Sequence, residues 1–260
     1  MSELSTADVL TLLRDSHERL RGAFDELGDA RATLPSYDDE WSVAQVASHL
    51  GSGTEIFSHY LNAAAKGEPL PGGEINQPIW DAWNAKSPTD QIRDSLAANA
   101  SFLETVEAMT DEERDRWHAE IFGMDLDLTA FLRMRLGEHV VHTWDVTVAL
   151  DPTSTLPHVA AAAVAEGLGA LAGRVGRAPG EQASVEVRTT SPERAFHLDL
   201  SPSGVSLSPS LDDTSSASLT LPTEAFVRLV YGRLDADHTP ASTSADGIDL
   251  DLLRTVFPGV

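Results

Sequence analysis

The spacing of apolar residues changes near residue 152, and this change limits what the chain can fold into. Up to that point apolar residues recur at steps of three and four, as they do in helices that bury one face. Beyond it, after an alanine-rich helix at 158–175, short stretches alternate apolar and polar residues, which is typical of strands. The sequence therefore predicts an α+β protein, with a helical domain at 1–152 and a small α+β domain at 153–260.

The helical part carries start and stop signals for four long helices. We predict these at 7–32, 42–67, 88–109 and 127–150, with a short helix at 79–85, one further turn after Thr110, and a loop near Phe122 to Met124. Ser42 with Gln45 three residues later forms a capping-box signal, and Pro88 suits the first turn of a helix. Because short links favour neighbouring helices that run up and down, an antiparallel four-helix bundle is expected.

The second part reads as a small sheet with helices. We predict strands at 183–189, 194–200, 204–209 and 216–222, a helix at 223–234, an edge strand at 241–245 and a closing helix at 249–257. The sequences SPE and SPSG between the first three strands are typical of tight turns. An antiparallel sheet is therefore expected.

Composition excludes several classes of function. The chain has 41 acidic and 18 basic residues, a formal net charge of -23, and no cysteine. This charge argues against nucleic acid and anionic membranes as partners, and the lack of cysteine excludes disulfides and cysteine-ligated zinc. No run of 18 apolar residues exists, and the start MSELSTADVL has no basic and apolar leader pattern. We therefore expect a cytoplasmic protein in which any thiol chemistry uses a thiol from outside.

The stretch RLGEHVVHTWDV, residues 135–146, suggests part of a metal site. Glu138 and His142 lie four residues apart, so a helix places them on one face, and Asp145 continues that face three residues on. Imidazole nitrogen and carboxylate oxygen suit zinc. The third candidate is His49, on the second helix among small residues. The alternatives are a solvated pair of Glu138 and His142, and a hydrogen-bonded core histidine at position 49.

Three sequence stretches carry a family resemblance. These are WSVAQVASHLG at 41–51, GEHVVHTWDV at 137–146, and FVRLVYGR at 226–233 followed by SADGIDLDLLRTVF. Together, and in this order, they resemble the mycothiol-dependent maleylpyruvate isomerase family. That family belongs to the DinB-like superfamily of four-helix metalloproteins, and its C-terminal domain is similar to sterol carrier proteins. The resemblance covers nearly the whole chain.

The resemblance implies roles for particular residues. The family's metal triad of two histidines and a glutamate falls on His49, Glu138 and His142, the same three that spacing suggests. It implies a divalent metal, with zinc the first choice, and mycothiol, an actinobacterial cysteine conjugate, as the thiol. The family's H-x-W-D segment falls on His142, Trp144 and Asp145, and its C-terminal arginine has its closest match in Arg233. Trp144, Asp145 and Arg233 are therefore candidates for binding the thiol cofactor.

The expected function is thiol activation at the metal for attack on a small electrophile. The outcome is cis–trans isomerisation if the thiol leaves again, and S-transfer if it stays. Asp145 is expected to orient a ligand histidine or to hold the cofactor, and Arg233 to hold a carboxylate, in a cleft between bundle and tail. Two other functions remain open: a metalloenzyme of the same fold that uses water or another thiol, and a non-catalytic protein that binds a small molecule. The electrophile and the oligomeric state are not specified by the sequence.

Overall fold

The computed structural model describes residues 4–37, 40–180, 182–209 and 215–259. The chain folds into two compact units, Met1–Ser154 and Thr155–Val260. Helices dominate the first unit, and the second combines helices with a five-stranded sheet. The predicted α+β class is confirmed. None of the described helices is both long and apolar enough to cross a lipid bilayer.

The first unit is built around four long helices that pack against one another. Its elements are α1 (Thr6–Leu27), α2 (Val43–Lys66), α3 (Asn76–Asn84), α4 (Pro88–Glu107), α5 (Asp111–Arg116), β1 (His118–Ile121), β2 (Met124–Asp127) and α6 (Leu128–Leu150). Helix α1 packs against α4 and α6, and α2 packs against α3, α4 and α6. Side-chain caps fix where the helices begin: Ser42 accepts from the Gln45 amide before α2, and Asp127 accepts from the Ala130 amide before α6.

Helix α6 is buried along most of its length and on most of its faces. Apolar side chains such as Phe131, Leu132 and Val140 are at most 2% exposed. Polar side chains on the same helix are buried with them, among them Arg135, His139, His142 and Asp145. Because a buried polar group is costly without a hydrogen-bond partner, the helices around α6 must supply partners.

Two expectations for the first unit are corrected by the structure. Helix α1 ends at Leu27 instead of residue 32, because Gly28 adopts a φ of 66° and a 3-10 turn follows at Asp29–Arg31. The expected loop around residue 122 is the turn of an antiparallel hairpin formed by β1 and β2. Phe122 and Gly123 both have positive φ, which suits a two-residue hairpin turn.

The second unit contains a sheet of five strands. Its elements are α7 (His158–Ala165), α8 (Leu168–Val175), β3 (Ala183–Thr190), β4 (Arg194–Ser201), β5 (Gly204–Ser208), β6 (Ala217–Pro222), α9 (Thr223–Val230), β7 (Ser244–Asp246) and α10 (Leu250–Val256). The alanine-rich stretch forms two helices instead of the one expected, with Gly167 at the break. Every residue of α9 is buried.

The expectation of a wholly antiparallel sheet is wrong at one strand pair. The strand order is β5-β4-β3-β6-β7, and β3 pairs with β6 in parallel while the other three pairs are antiparallel. The two predicted turns join β3 to β4 and β4 to β5, and they contain no information about the partner of β6. Strand β6 pairs on the far side of β3, where it runs in the same direction.

Small residues on α2 let an aromatic side chain approach its backbone. A Cβ atom added to Gly51 would lie 2.1–2.7 Å from three ring carbons of Trp83 on α3. Trp83 is 4% exposed, and its Nε1 donates a hydrogen bond of 2.8 Å to Glu55 Oε2. The missing side chain at Gly51 therefore fixes how closely α3 packs on α2, two residues from His49.

We expect the Gly51→Ala substitution to lower the free energy of unfolding by about 1–3 kcal/mol, because the buried indole must move. The matched control is Gly22→Ala on α1, where no atom lies within 4 Å of the added Cβ. There alanine is expected to stabilise by ~0.5–1 kcal/mol, since it favours the helix. Urea denaturation of both variants measures the difference. Equal stabilisation by both substitutions would contradict the packing of Trp83 on Gly51.

Candidate metal centre

The structure brings together the three residues whose spacing suggests a metal site. His49 lies on α2, and Glu138 and His142 lie on α6. Glu138 Oε2 is 3.4 Å from His49 Nε2 and 3.7 Å from His142 Nε2. One ligand atom from each residue lies within 4.8 Å of the other two, and no other such cluster occurs among the residues that the structure describes.

The donor set fits a divalent metal ion. Two imidazole nitrogens and one carboxylate oxygen form the ligand set of many catalytic zinc sites, which keep a fourth position open. With metal–ligand bonds of about 2.0–2.2 Å, ligand atoms in a tetrahedral site lie ~3.3–3.6 Å apart. The separations of 3.4 and 3.7 Å from Glu138 to the two histidines are close to that requirement. Small side-chain movements would complete the geometry.

A buried carboxylate orients one of the two histidines. Asp145 Oδ2 lies 2.8 Å from His142 Nδ1, and Asp145 is 1% exposed. A carboxylate accepts the Nδ1 proton, so the lone pair of the neutral ring lies on Nε2, the nitrogen that faces Glu138. This carboxylate–histidine arrangement is the usual support for a metal-ligating histidine.

The surroundings of Glu138 and His49 favour the protonation states in which these two side chains bind a metal. Burial acts to raise the pKa of Glu138, but its contacts with His142 and His49 outweigh burial and hold that pKa well below its usual range. Burial lowers the pKa of His49. At neutral pH the carboxylate is therefore ionised and His49 is neutral.

The triad is open on one side. The side chains of His49 and Glu138 are 34% and 29% exposed, whereas that of His142 is 8% exposed. A small molecule can therefore reach the centre at His49 and Glu138. His142 is buried, and its Nδ1 is hydrogen-bonded to Asp145.

Trp41 borders the triad, a position that its sequence context alone does not predict. Its ring centroid lies 5.3 Å from that of His49 and 6.3 Å from that of His142, and its plane is within 20° of the His142 ring. Trp41 precedes α2, so no helical spacing links it to His49. In the sequence, only its position in the WSVAQVASHLG stretch connects Trp41 with His49. In the structure, its ring forms an aromatic wall beside the triad.

The other candidate residues have different surroundings. Trp144 is 1% exposed and packs on Tyr37, and its Nε1 donates a hydrogen bond of 2.8 Å to the Ser154 carbonyl. These contacts give it a packing role, and contact with a thiol cofactor stays a prediction. Arg233 belongs to the second unit, where it is 6% exposed and its Nη1 donates to the Tyr231 carbonyl. Its role in holding a carboxylate also stays a prediction.

Comparisons with known proteins match both units. The sequence model described as the mycothiol maleylpyruvate isomerase N-terminal domain matches residues 13–147, and the one described as the C-terminal domain of that family matches residues 158–254. Two crystal structures of a mycothiol-dependent maleylpyruvate isomerase, one of them a histidine-to-alanine variant, share the fold with a TM-score of 0.70. They are 15% and 14% identical to the chain, and the match covers 96% of it and 98% of them. No curated protein matches the chain in sequence.

We expect His49→Ala and His142→Ala each to lose most of the bound divalent metal, because each removes one of three ligands. The matched control is His59→Ala, which removes an exposed histidine from the same helix as His49. Elemental analysis of protein purified without a histidine tag measures the stoichiometry. Full metal content in both triad variants would exclude this site.

Asp145→Asn tests how His142 is held. The amide cannot accept the Nδ1 proton as a carboxylate does, so we expect metal affinity to fall about 10- to 100-fold with the helices intact. Asp151→Asn at the exposed end of α6 removes the same charge and is the control. Competition with a chromophoric chelator gives the affinities. A wild-type affinity in the Asp145 variant would show that this hydrogen bond does not support the centre.

Proposed function

The chain belongs to the mycothiol maleylpyruvate isomerase family, and on that premise we propose that it is a cytoplasmic thiol-dependent metalloenzyme. Its metal ligands are His49, Glu138 and His142, and its thiol is mycothiol. In this proposal residues 1–152 form a DinB-like antiparallel four-helix bundle, and residues 153–260 form a sterol-carrier-like α+β domain. The observation that carries the proposal is the triad itself: three metal-binding side chains within 4.8 Å, two of them partly exposed.

In this proposal the triad binds the metal ion, and the exposed edges of two of its residues give the thiol access to that ion. A divalent ion, with zinc the first choice, would hold a thiol as its thiolate, which is the nucleophilic form. His142 is fixed in one tautomer by Asp145, so its Nε2 is ready to bind. Glu138 brings a negative charge that lowers the cost of bringing a cation into the protein. Trp41 limits water on one side of the centre, and the exposed edges of His49 and Glu138 admit the thiol.

The reaction class follows from an activated thiol and a small electrophile. Addition to a conjugated double bond, rotation and loss of the thiol give cis–trans isomerisation. The two similar crystal structures are named as those of a mycothiol-dependent maleylpyruvate isomerase. Addition without loss gives S-transfer. We propose isomerisation first, because the family match covers both units, and S-transfer second.

Arg233 keeps its proposed role as the group that holds a substrate carboxylate. Most of its side chain is buried, and one of its nitrogens donates to the Tyr231 carbonyl. A guanidinium can hold a carboxylate through two parallel N–H donors. In a chain with a net charge of -23, an anionic substrate needs a local cation of this kind.

Cobalt-substituted protein tests the proposed function directly. We expect mycothiol to produce an intense near-ultraviolet charge-transfer band, which reports sulfur bound to the metal, at lower concentration than cysteine or glutathione. His142→Ala should show no band, while the His59→Ala control should match wild type. A cobalt protein that gives no band at saturating mycothiol would contradict the thiol assignment. Bands of equal midpoint for all three thiols would contradict mycothiol as the specific cofactor.

A further inference from the structure

Arg135 is a buried cation whose hydrogen bonds go to neutral groups. It is 2% exposed on α6, one turn before Glu138. Its Nη2 donates to the Leu50 carbonyl at 2.9 Å, to Thr54 Oγ1 at 2.5 Å and to Asn99 Oδ1 at 2.8 Å. Within the described parts of the chain, no carboxylate forms an ion pair with it.

Such a charge is expensive, because burial removes it from water and no contacting carboxylate compensates for it. Burial lowers the pKa of Arg135 to about 10, and the negative charge of Glu138 opposes that shift. The guanidinium is therefore still charged at neutral pH. Its Nε is buried without a hydrogen-bond partner, so the hydrogen-bond network around it is incomplete. A neutral side chain of similar length would link α2, α4 and α6 without this cost, so the charge itself needs an explanation.

The charge of Arg135 acts on the triad. Arg135 lies one turn before Glu138 on α6, and its guanidinium donates to the carbonyl of Leu50, the residue that follows His49. Its positive charge is attracted by the carboxylate of Glu138. A divalent ion at the triad would add two positive charges to that of Arg135, against the carboxylates of Glu138 and Asp145. One positive charge is then left to balance in a buried setting, and an anionic ligand at the open position balances it.

We propose that Arg135 is a positioning residue that makes the metal centre selective for an anionic ligand, such as a thiolate, over a neutral one. It acts through its fixed charge, one turn before Glu138 on α6. This inference rests on the proposed function in one respect, since it requires a metal at His49, Glu138 and His142.

The positive charge of Arg135 repels a bound cation and attracts a bound anion. These opposite effects distinguish an electrostatic role of Arg135 from a role in packing. Removing the charge should weaken anion binding on the order of tenfold and strengthen metal binding on the order of a hundredfold, because the Coulomb energy is twice as large for a divalent ion as for a monovalent one. A role in packing alone would weaken both, because a loosened site loses its metal and its ligand together.

The experiment uses the cobalt-loaded full chain with azide and thiocyanate as anionic probes, read in the visible spectrum. Cobalt affinity is measured separately by competition with a chromophoric chelator. Arg135→Gln removes the charge, and Asn99→Asp leaves the arginine in place but sets a carboxylate against its Nη2. Both are expected to bind cobalt more tightly and the anions more weakly. Arg135→Lys keeps a charge and should stay near wild type, and Arg14→Gln removes an exposed charge from the same unit as a control.

The results distinguish this inference from the proposed function. Anion affinities unchanged in Asn99→Asp, or cobalt and anion affinities that fall together, would overturn the role of Arg135. Opposite shifts with the inorganic anions, but no binding of mycothiol by the wild type, would support the role of Arg135 and reject mycothiol. A wild-type protein that binds no cobalt would reject both.

Discussion

The burial of α6 is the constraint on which the candidate site depends. This helix carries polar side chains into the interior of the first unit, and each must find a partner or leave a buried charge uncompensated. His139 meets Ser16 of α1 at 2.8 Å, His142 meets Asp145, and Arg135 meets groups of α2 and α4. Between residues 135 and 146 of α6, Glu138 differs because its side chain is partly exposed, as is that of His49 on α2. The packing that buries α6 thus also assembles three metal-binding side chains.

The sequence predicts those parts of the site and the fold that depend on local spacing. Glu138 and His142 share a helix face because they are four residues apart, and the capping box at Ser42 marks the start of α2. His49 comes from another helix, so spacing could suggest it only as a candidate, and the family resemblance supplied the rest. The hairpin at residue 122 and the parallel pair of β3 and β6 were missed, because they depend on backbone φ and on strand order.

For the residues around the triad, too, the sequence predicts only the contacts that depend on local spacing. The contact of Asp145 with His142 follows from a spacing of three residues on one helix, and it was one of two expected roles. Trp41 and Arg135 stand within the stretches that suggest the site and the family, yet no role was predicted for either. Their positions depend on how α2, α4 and α6 pack, and this information is not local. Trp41 is an aromatic neighbour of the partly exposed triad, and Arg135 is a buried positive charge one turn before Glu138.

X-ray absorption at the zinc edge reports the atoms bound to the metal, so one experiment tests both the protein ligands and the binding of the thiol. For the zinc protein alone, the account predicts two imidazole nitrogens and a carboxylate oxygen at about 2.0–2.2 Å. After addition of mycothiol it predicts one sulfur at about 2.3 Å. A spectrum that shows no sulfur at saturating mycothiol, or a first shell without two imidazoles, would contradict the account.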